Sequence, residues 1–170
     1  MNLIDGILGE YQHENAVTRR ILERVPENHF DFRPHKKSMN LGNLSSHLAE
    51  IHTWIPDIVK QSVFVMDPAT YKPYKASSRA DLLREFDKNV AVATDAMKGM
   101  TNEQLLAPWT FQAGGQTVFT LPRIAVLGSF IIKHCVHHRA QLGVYLRLLD
   151  IPLPPSYGPT ADESGMPANK

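Results

Sequence analysis

Cysteine is almost missing from this chain: Cys135 is the only one in 170 residues. A lone thiol excludes an intrachain disulfide and makes a reducing, cytoplasmic setting the expected one. An excess of either charge is missing too, with 18 Lys and Arg against 17 Asp and Glu, a formal net charge of +1. Both signs are interspersed, and no basic block or aromatic-basic stripe favours nucleic acid. No apolar run approaches the ~18 residues that a membrane-spanning helix requires. The opening MNLIDGILGEYQHEN lacks the basic start and long apolar stretch of a secretory signal. No repeat of solenoid-like period is visible, and nothing before the C-terminal tail is low in complexity. These absences lead to the expectation of a soluble intracellular protein that partners neither nucleic acid nor membrane.

What is present is ordinary globular material: 43% hydrophobic and 21% charged residues, enough chain for one domain with a real core. Four segments carry helical periodicity. In the first, Ile4, Ile7, Leu8, Tyr11, Ile21, Leu22 and Val25 share a stripe that Asn15 and Thr18 interrupt, and Pro26 stops it. That interruption marks either a polar cavity or a drift of the stripe. The second begins at Ser38 or Asn40 as N-cap and repeats Leu41, Leu44, Leu48, Ile51, Ile55 and Ile58, with Pro56 expected to kink or end it. The third starts at Ser78 with Asp81 in its first turn, runs through Leu82, Phe86, Val90, Ala93 and Met97, and has Gly99 placed to end it. The fourth, opened by Pro122, carries Ile124, Leu127, Ile131, His138, Leu142, Tyr145 and Leu149 as far as Asp150.

Four amphipathic helices predict an all-α fold, a four-helix bundle in one domain over residues 1–170. The connections read as roughly 15 residues before the second and third helices and over 20 before the fourth, long enough for a crossover. Trp109 to Leu121 holds β-type residues around Gly114-Gly115, consistent with a small hairpin before the last helix. The tail, residues 151–170, carries five of the twelve prolines. It cannot be helical, but IPLPPSYGP is apolar enough to pack across the bundle, with its last few residues expected to be mobile.

Chemistry concentrates in KHCVHHRAQL, Lys133 to Leu142. His134 and His138 are four apart and so project from one helix face, the inward one shared with Ile131 and Leu142. Two imidazoles at that spacing can close on one metal ion. His137 lies about 100° around the helix from His138, beside Lys133 and Arg139, and is expected to face solvent. A third ligand must come from elsewhere, and His47 sits on the inward side of the second helix, between Leu44 and Ile51. His52 falls on a flanking position and is the weaker choice; His13, His29 and His35 lie on a polar face or in the first long loop. On spacing alone, satisfied core histidines and metal ligands both remain open.

Neighbouring residues have plainer roles beside their chemical ones. Cys135 could be a fourth ligand, but a small buried hydrophobe is the simpler role. Glu50, three after His47, could act as a base or support that ring, against the simpler reading of a solvated helix acid. Gly114-Gly115 is a turn signal and no phosphate cradle, since no helix N-terminus follows at once.

RPHKKSMNLGNLSSHLAEIHTW, the GGQ turn, and LPRIAVLGSFIIKHCVHHRAQLGVYLRLLDIPLPPSYGPTADE together resemble the DinB family over nearly the whole chain. The likeness is most specific in the last third; Ala140 stands where the family's HHRGQ has glycine, a change a helix tolerates unless a close helix contact needs the space. The resemblance implies a four-helix bundle with a crossover, commonly a homodimer, and a divalent metal held by three histidines. Matched position by position, these are His47, His134 and His138. Members similar to it include S-transferases and isomerases that use low-molecular-weight thiols, and nothing in the family's pattern supports DNA binding.

Three functions follow as expectations. The first is a metal-dependent enzyme, an S-transferase or hydrolase, in which a zinc- or nickel-like ion with an open position activates a thiol or water for a small-molecule substrate. The second is a stress protein that binds a metal or small molecule without turnover. In the third, the ion is a structural staple closed by a fourth protein ligand, for which Cys135 is the obvious choice.

Overall fold

In the computed structural model, which describes residues 2–164, helix α1 spans Leu3–Leu22 and buries the expected Ile4, Tyr11, Ile21 and Leu22. Helix α2, Leu41–Glu50, starts where the Asn40 side chain accepts a hydrogen bond from the Asn43 amide at 2.8 Å, so Asn40 and not Ser38 is the cap. It tightens into a 3-10 turn over Ile51–Trp54 and resumes as α3, Ile55–Lys60, with Pro56 in the first turn. Proline is tolerated there because its missing N–H has no partner to lose. Helix α4, Arg79–Met97, is capped by Ser78 as expected, and Gly99 follows at φ +80°, the left-handed conformation that ends helices. A short α5, Asn102–Leu106, opens on a Thr101–Gln104 capping box.

The last long helix is less regular than its periodicity suggests. It opens as one α turn, α6 (Arg123–Ala125), loosens into a π-helical stretch over Val126–Ile132, and becomes α7 over Lys133–Leu148. Helix α1 packs against α4 and α7, and α2 against the same two, so a four-helix arrangement carries the core. Asn89 of α4 reinforces one seam by donating at 3.0 Å to the carbonyl of Ala49 in the last turn of α2.

An all-α bundle is nevertheless the wrong fold class. Strand β1, Val63–Met66, pairs in parallel with β2, Pro108–Ala113, which pairs antiparallel with β3, Gln116–Pro122, in a mixed sheet of order β1-β2-β3. The β2–β3 hairpin turns at Gly114 (φ +55°) and Gly115 (φ +78°), the two positive φ values of a tight hairpin turn. Strand β1 carries β-type residues, Val63-Phe64-Val65, but the run is only four residues long and its backbone partners come from a segment over 40 positions later, beyond the reach of a periodicity argument. Buried Arg123 fixes the sheet to the bundle, donating to the Ile58 carbonyl at 2.8 Å and the Gln61 carbonyl at 2.9 Å. These carbonyls at the end of α3 have no intrahelical partner, and a cation there opposes the helix dipole.

The proline-rich tail crosses the bundle as expected, with Pro154 buried and Ile151 and Leu153 half-buried. Arg24–Glu163 at 2.6 Å and Arg147–Asp162 at 2.5 Å tie it to α7 and to the chain just after α1. The mobility expected of the final residues concerns positions outside those described. Among the described residues, no helix is long and apolar enough to cross a membrane.

Candidate metal centre

The packing of α2 on α7 brings His47 to His134 and His138. His134 Nε2 lies 3.4 Å from His47 Nε2 and 2.9 Å from His138 Nε2. One ligand atom from each of the three rings falls within 4.8 Å of the others, all half-buried. Tetrahedral coordination at roughly 2.0–2.1 Å separates ligand nitrogens by about 3.3 Å, so the cluster has nearly the dimensions of a three-imidazole site.

The outward nitrogens support this arrangement. His138 Nδ1 meets Gln141 Oε1 at 2.8 Å; an amide oxygen only accepts, so Nδ1 carries the hydrogen and leaves the Nε2 lone pair facing the cluster. Glu50 Oε2 stands 3.7 Å from His47 Nδ1, close enough to favour the same tautomer. Both supporting residues are three positions after the histidine they orient, one helical turn away on the same face. His134 Nδ1 is buried without a well-formed hydrogen bond, though the Phe130 carbonyl one turn earlier pulls its basicity upward.

Burial is the main reason the His134 ring is held down to about 4, helped by the adjacent His138 and His47; burial likewise lowers His138. Both rings are therefore neutral at pH 7, the form that binds metal. The Glu50 carboxyl is pushed up by burial, yet His47, the Tyr71 hydroxyl and the Tyr74 amide together hold it below its ordinary range. It is thus no solvated helix acid: it is 8% exposed, and its Oε1 accepts from the Tyr74 amide at 3.1 Å, pinning that loop beside His47. Trp54 stacks on His134 with ring centroids 6.0 Å apart and on Phe130 at 5.3 Å, walling one side of the cluster.

The remaining candidates separate cleanly. His137 is exposed, as are His13, His29 and His35. His52 is a core residue, 1% exposed, with Nδ1 2.9 Å from the Tyr11 hydroxyl, and burial lowers its pKa to about 3. Cys135 stands outside the cluster, its thiol pushed up to about 12 by burial, so it is an inert apolar filler. Arg139, a charged neighbour of His137 in sequence, is only 2% exposed and pairs with Glu14 Oε2 at 2.7 Å. Its guanidinium also donates to the Glu14 carbonyl, Thr18 Oγ1 and the Tyr157 hydroxyl. Thr18, one of the two residues that break the α1 stripe, therefore helps to seat Arg139. Position 140 is exposed, so alanine there meets no close helix contact. Trp54, Phe130 and Gln141 were not singled out from the sequence; the i+3 spacing of Gln141 from His138 was the one available signal.

The DinB family sequence profile matches residues 2–167, and the chain belongs to that family. Among curated proteins, none matches the sequence. Two solved structures are similar in fold. A DinB-like protein from Bacillus cereus ATCC 10987 is 21% identical with a TM-score of 0.69, the alignment covering 90% of this chain and 97% of that one. A DinB-like protein from Bacillus subtilis is 19% identical with a TM-score of 0.69, covering 89% and 97%.

Proposed function

We propose that this protein is a metal-dependent enzyme in which His47, His134 and His138 hold one divalent ion, zinc or nickel by the borderline softness of imidazole. The observation that carries this reading is the convergence of three Nε2 atoms with no fourth His, Cys, Asp or Glu joining them among the described residues. A closed structural site calls for four protein ligands, whereas three leave a position for solvent or substrate. An ion bound there would acidify a water or low-molecular-weight thiol and present it as a nucleophile to a small electrophile. The chain's own groups supply orientation: Gln141 and Glu50 fix the His138 and His47 rings, and Trp54 shields His134 from water. Cys135 is not the nucleophile, since burial holds its thiol in the neutral form. Pairing of two chains, which the family resemblance implies, would cover the exposed Val144 and Leu148 on α7.

The test is to load the protein with zinc or nickel and follow a panel of low-molecular-weight thiols mixed with alkyl halides and epoxides. Metal-dependent loss of thiol that vanishes in His138→Ala is the expected result. Ligand-induced thermal stabilisation without thiol loss would replace catalysis with sequestration.

A further inference from the structure

Strand β1, added in parallel to the expected β2–β3 hairpin, builds a second feature beside the histidines. Alternation along β1 turns Phe64 and Met66 inward while Val63 and Val65 are exposed. Phe64 pairs in register with Phe111 of β2, and Trp109 precedes Phe111 by two positions on the same face. The rings of Phe64, Trp109 and Phe111 lie within 9–19° of parallel, with centroids 6.0–6.4 Å apart. With Met66, Trp54 and Phe130 they line a partly open cavity of about 230 Å³.

Side chains that served only as core would be wholly buried. Instead five of its six walls are half-buried, Trp109 alone being fully buried. Water gains little in a cavity whose walls are wholly apolar. Two of the walls, Trp54 and Phe130, also pack on His134, at 6.0 and 6.1 Å between ring centroids. For scale, a dry apolar cavity of roughly 150 Å³ accepts benzene.

We infer that this cavity binds a flat aromatic group of one or two fused rings, the apolar half of the electrophile handled at the histidine cluster. Its position beside the centre rests on the metal reading above; the cavity's capacity for an aromatic ring does not. Near-parallel ring faces favour stacking on a planar ligand, and a polar or branched group would find no partner among these walls.

The probe is 1-fluoronaphthalene, followed by fluorine NMR with the full chain loaded with cobalt or zinc. A saturable shift is expected, with proton cross-relaxation from the ligand to the indoles of Trp54 and Trp109, the chain's two tryptophans. Met66→Lys should weaken binding at least tenfold with zinc affinity unchanged. His138→Ala should lose cobalt and keep the aromatic ligand. In the cobalt protein the bound fluorine should relax faster than in the zinc protein. Absence of saturable binding to wild type, or cross-relaxation to neither indole, overturns the cavity assignment without recourse to any variant. Binding without cobalt-enhanced relaxation in the cobalt-loaded protein overturns the placement beside the centre. If cobalt fails to bind at all, the metal reading falls, and the zinc-free shift still decides the cavity.

Discussion

Gln141 bonds the outward nitrogen of His138 at 2.8 Å and so sets which nitrogen of that ring is free to bind, while Glu50, 3.7 Å from the outward nitrogen of His47, favours the same tautomer there. Loss of such a partner commonly lowers metal affinity about 10–100-fold. Gln141→Ala is therefore expected to weaken zinc binding by that factor in a competition titration, while His137→Ala leaves it unchanged. Equal affinities for both variants would remove the supporting role of Gln141. His52 makes a different prediction. Its ring is neutral in the fold down to about pH 3, whereas an unfolded histidine takes up a proton near pH 6.5. Between those values the unfolded chain binds the extra proton, so stability falls as pH drops, by up to about 1.4 kcal/mol per pH unit for one group. From pH 7 to pH 4 the urea midpoint of metal-free wild type should fall further than that of His52→Phe. Parallel curves would mean that His52 does not titrate as its burial requires.

At the scale of elements, Arg139 is the main polar fastening between α7, α1 and the tail. It meets Glu14 at 2.7 Å and Tyr157 at 2.9 Å, and the Tyr157 hydroxyl in turn reaches Glu14 at 2.9 Å. Removing one member of a buried pair strands the other, at a cost of about 3–5 kcal/mol. Arg139→Met should lower stability by that amount in urea unfolding, and the double variant Glu14→Leu/Arg139→Met should recover most of it. A double variant as unstable as the single would show that hydrogen bonding to Thr18 and the tail dominates. Elements were legible in the sequence where local signals decide them. The Asn40 and Ser78 caps, Gly99, Pro56 and the Gly114-Gly115 turn each act through neighbours a few residues away. Strand β1 depends on a distant partner that its short β-type run does not name, and the inward turn of Arg139 depends on an acid in another helix. The meeting of His47 with the HxxxH pair was legible because both lie on core stripes of helices that must pack together. The aromatic cavity was not legible, since it exists only once β1 has joined β2.

For the whole molecule, Val144 and Leu148 are 59% and 58% exposed on adjacent turns of α7, an apolar face that pairing with a second chain would cover. Light scattering should return a dimer for wild type and a monomer for Val144→Glu/Leu148→Glu. A wild-type monomer would remove the pairing. Whether the three histidines hold an open metal centre is decided by X-ray absorption on the zinc-loaded protein. Imidazole nitrogens at about 2.0–2.1 Å completed by a solvent oxygen, all lost in His138→Ala, are the expected result. A sulfur neighbour at about 2.3 Å, placing Cys135 on the ion, would contradict it.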